Sequence, residues 1–231
     1  MGSVKSCFNT EDFMQGLKAL NNEMAKDEML AAFAPITFLS TGGFLALRFL
    51  KNRQSTGDLD YLLEPEWSRD NDIKAPLHDA IKRVTRRLNF AEDWLNDEMA
   101  FFVPIRSQKH LFDEAQKQNI VLWQGKNLRI LAVPLEWALE RKLRRIHAGT
   151  QGPKRGADIS DAVALLKHIR DRNGDRLDME RTRTFSMCSY EPPPNQRTMD
   201  LIAFAYRRTY KEEAFIEAAA ITHNRSNGTC I

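Results

Sequence analysis

Cysteine is scarce in this chain, with only Cys7, Cys188 and Cys230 in 231 residues. So few, so widely spaced, they form neither an even-numbered disulfide framework nor a metal-ligand pattern, and they point to a reducing compartment. No apolar stretch is long enough to cross a bilayer and no secretory signal is found, so the expectation is a cytoplasmic protein whose sequons at Asn224 and Asn227 go unused. Strong charge of one sign is also lacking: 34 Lys and Arg face 31 Asp and Glu, a formal net charge of +3. That mild excess permits a polyphosphate or nucleic-acid partner without requiring one. The five histidines are scattered, no Ser or Cys sits in a nucleophile motif, and there is no internal repeat.

What is present begins with Met1-Gly2-Ser3-Val4-Lys5-Ser6, which fits a myristoylation pattern, with Cys7 available for a second acyl chain. Thr10 then reads as the cap of an amphipathic helix carrying Phe13, Leu17, Leu20 and Met24. Pro35 to Leu39 is a buried strand running into Gly42-Gly43, followed by a short helix, a polar loop over 51–55 and a second strand from Asp58 to Leu63. A helix from Asp72 or Pro76 to Leu88 turns Lys82, Arg83, Arg86 and Arg87 outward. Trp94 to Asp97 reads as a connection, Met99 to Ile105 as a strand, Leu111 to Gln118 as a helix, and 120–123 with 128–133 as a hairpin around Gly125-Lys126-Asn127. Trp94, Trp123 and Trp137 belong to the core or a pocket wall, and Trp67 to the surface.

After Pro134 the pattern is helical. Leu135 to His147 is a basic helix, Gly149 to Gly156 a flexible loop, Ala157 to Arg170 an amphipathic helix, and Pro192-Pro193-Pro194 a rigid linker after a charged stretch. Thr198 to Tyr210 and Lys211 to His223 close the chain as helices. The implied fold class is α/β (α+β): a small mixed sheet flanked by helices over residues 1–133, with a helical C-terminal region, 134–231, packing on it.

Asp58 and Asp60 are two residues apart in a strand, so their carboxylates fall on one face and can bind a divalent cation. Gly42-Gly43 followed by Asp58-Leu59-Asp60 resembles the signature of the nucleotidyltransferase superfamily typified by DNA polymerase beta. The Leu135-to-Leu143 helix, then Arg155-Gly156-Ala157-Asp158-Ile159-Ser160-Asp161, is similar to the abortive-infection type nucleotidyltransferase toxins and their relatives. The likeness runs from about Pro35 to about Leu166. It implies that Gly42 and Gly43 let backbone amides approach a nucleoside triphosphate. Asp58 and Asp60 would hold magnesium, with manganese as the alternative. Lys142 and Arg155 would contact phosphate, and Asp158 would lie at the site against Lys142 or the attacking group. The implied reaction transfers a nucleoside monophosphate to a hydroxyl on RNA, protein or a small molecule.

The chain departs from that pattern in two places. Leu128 to Val133 carries no third carboxylate, for which Asp97 and Glu98 are the nearest replacements, and the gap between Gly43 and Asp58, 14 residues, is longer than usual. The competing expectation is a nucleotidyltransferase-fold protein without turnover, which binds a nucleotide or a partner through the same cleft.

Overall fold

The computed structural model describes residues 3–149, 151–185 and 192–216. Gly2, Cys188, Cys230, both sequons and most of the expected last helix lie outside them. Five strands form one mixed sheet, and the surrounding helices cover it.

The chain enters through α1 (Thr10–Met24), whose cap is Asn9 rather than Thr10: the Asn9 side chain accepts from the Asp12 amide while Asp12 accepts from the Asn9 amide. This reciprocal pair satisfies two otherwise orphaned donors, which a lone Thr10 could not do. After α2 (Glu28–Ala32), strand β1 (Ile36–Ser40) runs through the centre of the sheet with every residue buried. It leads into α3 (Gly42–Leu45), a short helix extended by a π-helical turn over Ala46–Leu50. Strand β2 (Leu59–Leu63) returns antiparallel to β1, with Ser40 opposite Tyr61.

Helix α4 (Asn71–Leu88) starts at an Asp70 cap and packs on α1. Part of its basic face is used internally, because Arg83 and Arg87 both pair with Glu23 of α1, which is 4% exposed. Beyond it, residues expected to be a plain connection form β3 (Leu95–Asn96), an edge strand parallel to β2. The expected strand from Met99 to Ile105 is instead α5 (Met99–Phe102), followed by α6 (Ile105–Gln118). The run is apolar but its burial is helical: Met99 and Val103, four apart, are inside, whereas Phe101 and Phe102 face water.

The hairpin of β4 (Val121–Gln124) and β5 (Leu128–Ala132) completes the sheet in the order β3-β2-β1-β5-β4, with β5 parallel to β1. Helix α7 (Leu135–His147) then packs on α8 (Pro153–Asn173). The expected flexible loop to Gly156 is therefore shorter: Gly152, at φ 70°, turns the chain and Pro153 opens the helix, where its missing N–H costs nothing. The charged stretch from Asp171 to Glu180 contains the end of α8 and the start of α9 (Met179–Thr184). Helix α10 (Gln196–Tyr210) closes against α7 and α8. Residues 211–216 are not helical; Phe215 instead makes a parallel bridge to Leu177.

The core is continuous. Trp94 is fully buried and bonds through Nε1 to Thr85 Oγ1 at 2.8 Å, and Trp137 is 3% exposed. Trp67, expected at the surface, is half-buried against Phe33 with ring centroids 4.7 Å apart. No helix of the described residues is long and apolar enough to cross a membrane.

Candidate functional site

The acidic corner is assembled by β1, β2 and the segment after β3. Ser40, the last residue of β1, donates through Oγ to the Asp60 carbonyl at 2.8 Å, which fixes the end of β1 beside β2. The chain then turns at Gly42, at φ 64°, and a β-carbon there would lie 3.5 Å from Asp60 Oδ2. Gly42 is thus held in the left-handed region directly against the Asp60 carboxylate. Gly43 has a different reason to be glycine. A β-carbon would collide with the side chain of Thr56, reaching 2.5 Å from its Cβ, so this position admits the loop before β2.

Asp60 sits inside β2, and Asp58 immediately precedes the strand, whose first residue is Leu59. Both are half-buried. Burial, then the neighbouring Asp58 charge, and also Glu98, push the Asp60 carboxyl up to about 6, while the Asn96 amide on the adjacent strand and Arg145 pull in the other direction. Burial also raises Asp58, with Asp93 and Glu98 adding to it and Lys154 and Arg53 opposing. Of the two candidates for a third carboxylate, Glu98 bears on both aspartates. Asp97 instead lies 3.8 Å from His78 Nε2.

Among the described residues no group of three or more His, Cys, Asp or Glu side chains is placed to hold a metal. The residues present still suit magnesium. It takes oxygen ligands, often uses only one or two carboxylates and shares the rest of its shell with water and substrate phosphate. Two adjacent half-buried carboxylates, both resisting ionisation, form a site whose repulsion a divalent cation would relieve.

Lys142 and Asp158 lie in a second, buried group. Lys142 Nζ is 2.9 Å from Asp158 Oδ1 and 2.7 Å from Asp161 Oδ2, and both aspartates are 1% exposed. Asp161 also receives Arg53 through Nε at 3.0 Å and Nη2 at 2.5 Å, together with Asn52 Nδ2 at 3.0 Å. Arg145 Nε approaches Asp158 Oδ2 at 3.2 Å without hydrogen-bond geometry. Because α8 starts at Pro153, Asp158 and Asp161 lie beyond its first turn, and their role is ion pairing rather than capping. Lys142 is enclosed by these carboxylates. Arg155 is half-buried in the first turn of α8, beside the exposed Lys154.

Gly42, Asp58 and Asp60 are therefore brought together directly, and Lys142 with Asp158 separately. Arg53 and Arg145 join the groups, since each pairs with an aspartate of α8 and also opposes the raised pKa of Asp58 or Asp60. Sequence reasoning passed over Arg53, Arg145, Lys154 and Asn96. Arg53 lay in an ordinary polar loop and Arg145 in a helix full of basic residues, so nothing local marked either. Asn96 became visible only once it was paired opposite Asp60 across β2 and β3. No protein-family model, no curated protein and no solved structure matches this chain.

Proposed function

We propose that this protein is a nucleotidyltransferase that moves a nucleoside monophosphate from a nucleoside triphosphate to a hydroxyl acceptor on RNA, protein or a small molecule, using magnesium or manganese. The observation that carries this reading is the half-buried pair Asp58 and Asp60 set against the Gly42 turn, with Asp60 pushed up to about 6. A divalent cation at that pair supplies charge neutralisation for phosphate and lowers the pKa of a bound hydroxyl. Gly42 leaves no β-carbon beside Asp60 Oδ2, where one would lie 3.5 Å away, which would leave room there for a phosphate group. Lys154, which opposes the raised pKa of Asp58, and Arg145, which opposes that of Asp60, would be available to meet a phosphate at the pair. Lys142 can do so only by giving up contacts to Asp158 and Asp161, and Arg155 extends the positive margin along α8.

The test is incubation with labelled nucleoside triphosphates, magnesium and mixed acceptors. Label transfer by the wild type, falling to background in Asp58→Ala/Asp60→Ala, is expected. No transfer by the wild type, or equal transfer by the double variant, overturns the proposal.

A second reading, binding without turnover, is favoured by one observation: no third metal-ligating side chain joins the pair among the described residues. It predicts that a non-hydrolysable triphosphate saturates the protein while label is never transferred. Acylation at Gly2 and Cys7 is a separate reading, supported by an exposed, free Cys7 thiol. Membrane association that survives Gly2→Ala would remove lipidation as its cause.

A further inference from the structure

The outer side of α10 ends in a depression of about 400 Å³ lined by Phe204, Arg207, Arg208 and Lys211. Residues three and four apart are neighbours on a helix surface, and that spacing joins Phe204 to both arginines and both arginines to Lys211. Phe204 is 66% exposed, whereas Ile202 and Tyr206 beside it are fully buried. Its ring therefore turns its apolar surface to water.

Basic residues in a last helical turn have an ordinary explanation, since they complement the negative end of the helix dipole. That accounts for Arg207 and Arg208, but not for an aromatic ring standing among them. No carboxylate lines the depression. Of the acids nearest along the chain, Asp200 accepts from Gln196 Nε2 at 2.8 Å and Glu213 pairs with Arg207 at 3.1 Å. Glu212 is taken up by Lys167, Arg170 and the Tyr206 hydroxyl. Among the described residues Arg208 and Lys211 have no ion pair, so two positive charges flank the ring uncompensated.

An occupant that uses every one of these groups carries a flat π face and closely spaced negative charge in one molecule. An acidic peptide would meet the cations and leave the ring without a purpose. A membrane surface asks for a wider apolar face than one ring set among Ala203, Ala205 and Thr209. A duplex stacks its base faces away from contact. We propose that this side of α10 binds single-stranded nucleic acid, with a base stacked on Phe204 and neighbouring phosphates on Arg208 and Lys211. Arg207, held by Glu213, borders the strand. No residue of the acidic corner lines the depression, and the proposal does not rest on the transferase reading.

The test is fluorescence anisotropy of a labelled oligouridylate of about twelve nucleotides, titrated with the full chain in the presence of EDTA. Saturable binding is expected, equal in the wild type and in Asp58→Ala/Asp60→Ala. Phe204→Ala should weaken it about tenfold without changing its salt dependence, and Phe204→Trp should keep it. Arg208→Gln/Lys211→Gln, which keeps side-chain bulk, should lower the slope of log affinity against log salt by about 1.4. Both variants alter exposed side chains, so unchanged circular dichroism serves as their folding control. Absence of saturation overturns the proposal. So does binding unaffected by Phe204→Ala, an unchanged salt slope in Arg208→Gln/Lys211→Gln, equal affinity for a duplex of the same length, or loss of binding in Asp58→Ala/Asp60→Ala.

Discussion

Asp60 is a carboxyl whose ionisation the fold opposes, and the sign of that opposition sets how stability varies with pH. Its pKa rises from 3.8 to about 6 on folding, so between those values the folded chain binds more protons than the unfolded one. Stability must therefore fall as pH rises through that window, and the whole deficit is present above about pH 6. Asp60→Asn should raise the melting temperature at pH 7.5, by a stability gain on the order of 2 kcal/mol after allowance for partial exposure, and leave it nearly unchanged near pH 4. Melting curves at the two pH values check this; an equal effect at both would show that the charge is not the cause. Under the proposed function, magnesium at the pair would act on the same repulsion. Millimolar magnesium at pH 7.5 should raise the melting temperature of the wild type and not that of Asp58→Asn/Asp60→Asn. The two glycines of the corner separate in the same way. Gly43→Ala meets the Thr56 side chain and should cost about 1–3 kcal/mol through overpacking, measured by denaturant unfolding, with much of the loss recovered in Gly43→Ala/Thr56→Gly.

At the scale of elements, the buried ion group links the loop before β2 to α7 and α8. Removing one member of a buried ion group leaves its partners uncompensated, at a cost of about 3–5 kcal/mol. Lys142→Ala takes a cation from both Asp158 and Asp161, leaving Asp158 with Arg145 and Asp161 with Arg53 and Asn52, and should approach that range, whereas Arg53→Ala affects Asp161 alone, which keeps Lys142 and Asn52, and should cost clearly less. Equal losses in chemical denaturation would contradict this ranking. It follows that inactivity of Lys142→Ala alone cannot assign a chemical role to the lysine. The sequence made the β4–β5 hairpin, α4, α7 and most of α8 legible because their apolar residues repeat at one clear period and their ends carry turn residues, and β1 because its short apolar run is bounded by Pro35 and Gly42-Gly43. It misled at Met99 to Ile105, where an unbroken apolar run has no period to read. The two-residue strand β3 was illegible, since Leu95-Asn96 becomes a strand only through pairing with Leu59-Asp60. The carboxylate pair could be read because strand alternation is local. The Arg53 and Asn52 contacts to Asp161 could not, because they span 108 and 109 residues.

At the scale of the molecule, a net charge of +3 conceals a sorted distribution, with carboxylates concentrated around Asp60 and Arg53, Arg145 and Lys154 placed on the side toward α7 and α8. The α/β part and the helices after Pro134 are joined by buried charge as well as by apolar packing, which makes either part costly to unfold alone. Separating them would expose Asp161 without Arg53 and Asn52, and Arg53 without its carboxylate partner. Thermal unfolding should therefore be one cooperative transition, despite a boundary near residue 133 that the sequence suggests for two units. Fluorescence can read the halves separately, because Trp94 is buried in the first and Trp137 in the second. In variants with either Trp94 or Trp137 as the only tryptophan, the two unfolding curves should coincide with each other and with loss of helical circular dichroism. In Arg53→Ala the tie at Asp161 is loosened, and the Trp137 curve should move to lower denaturant than the Trp94 curve if the ion group carries the coupling. Coincident curves in that variant would assign the coupling to the apolar contacts instead.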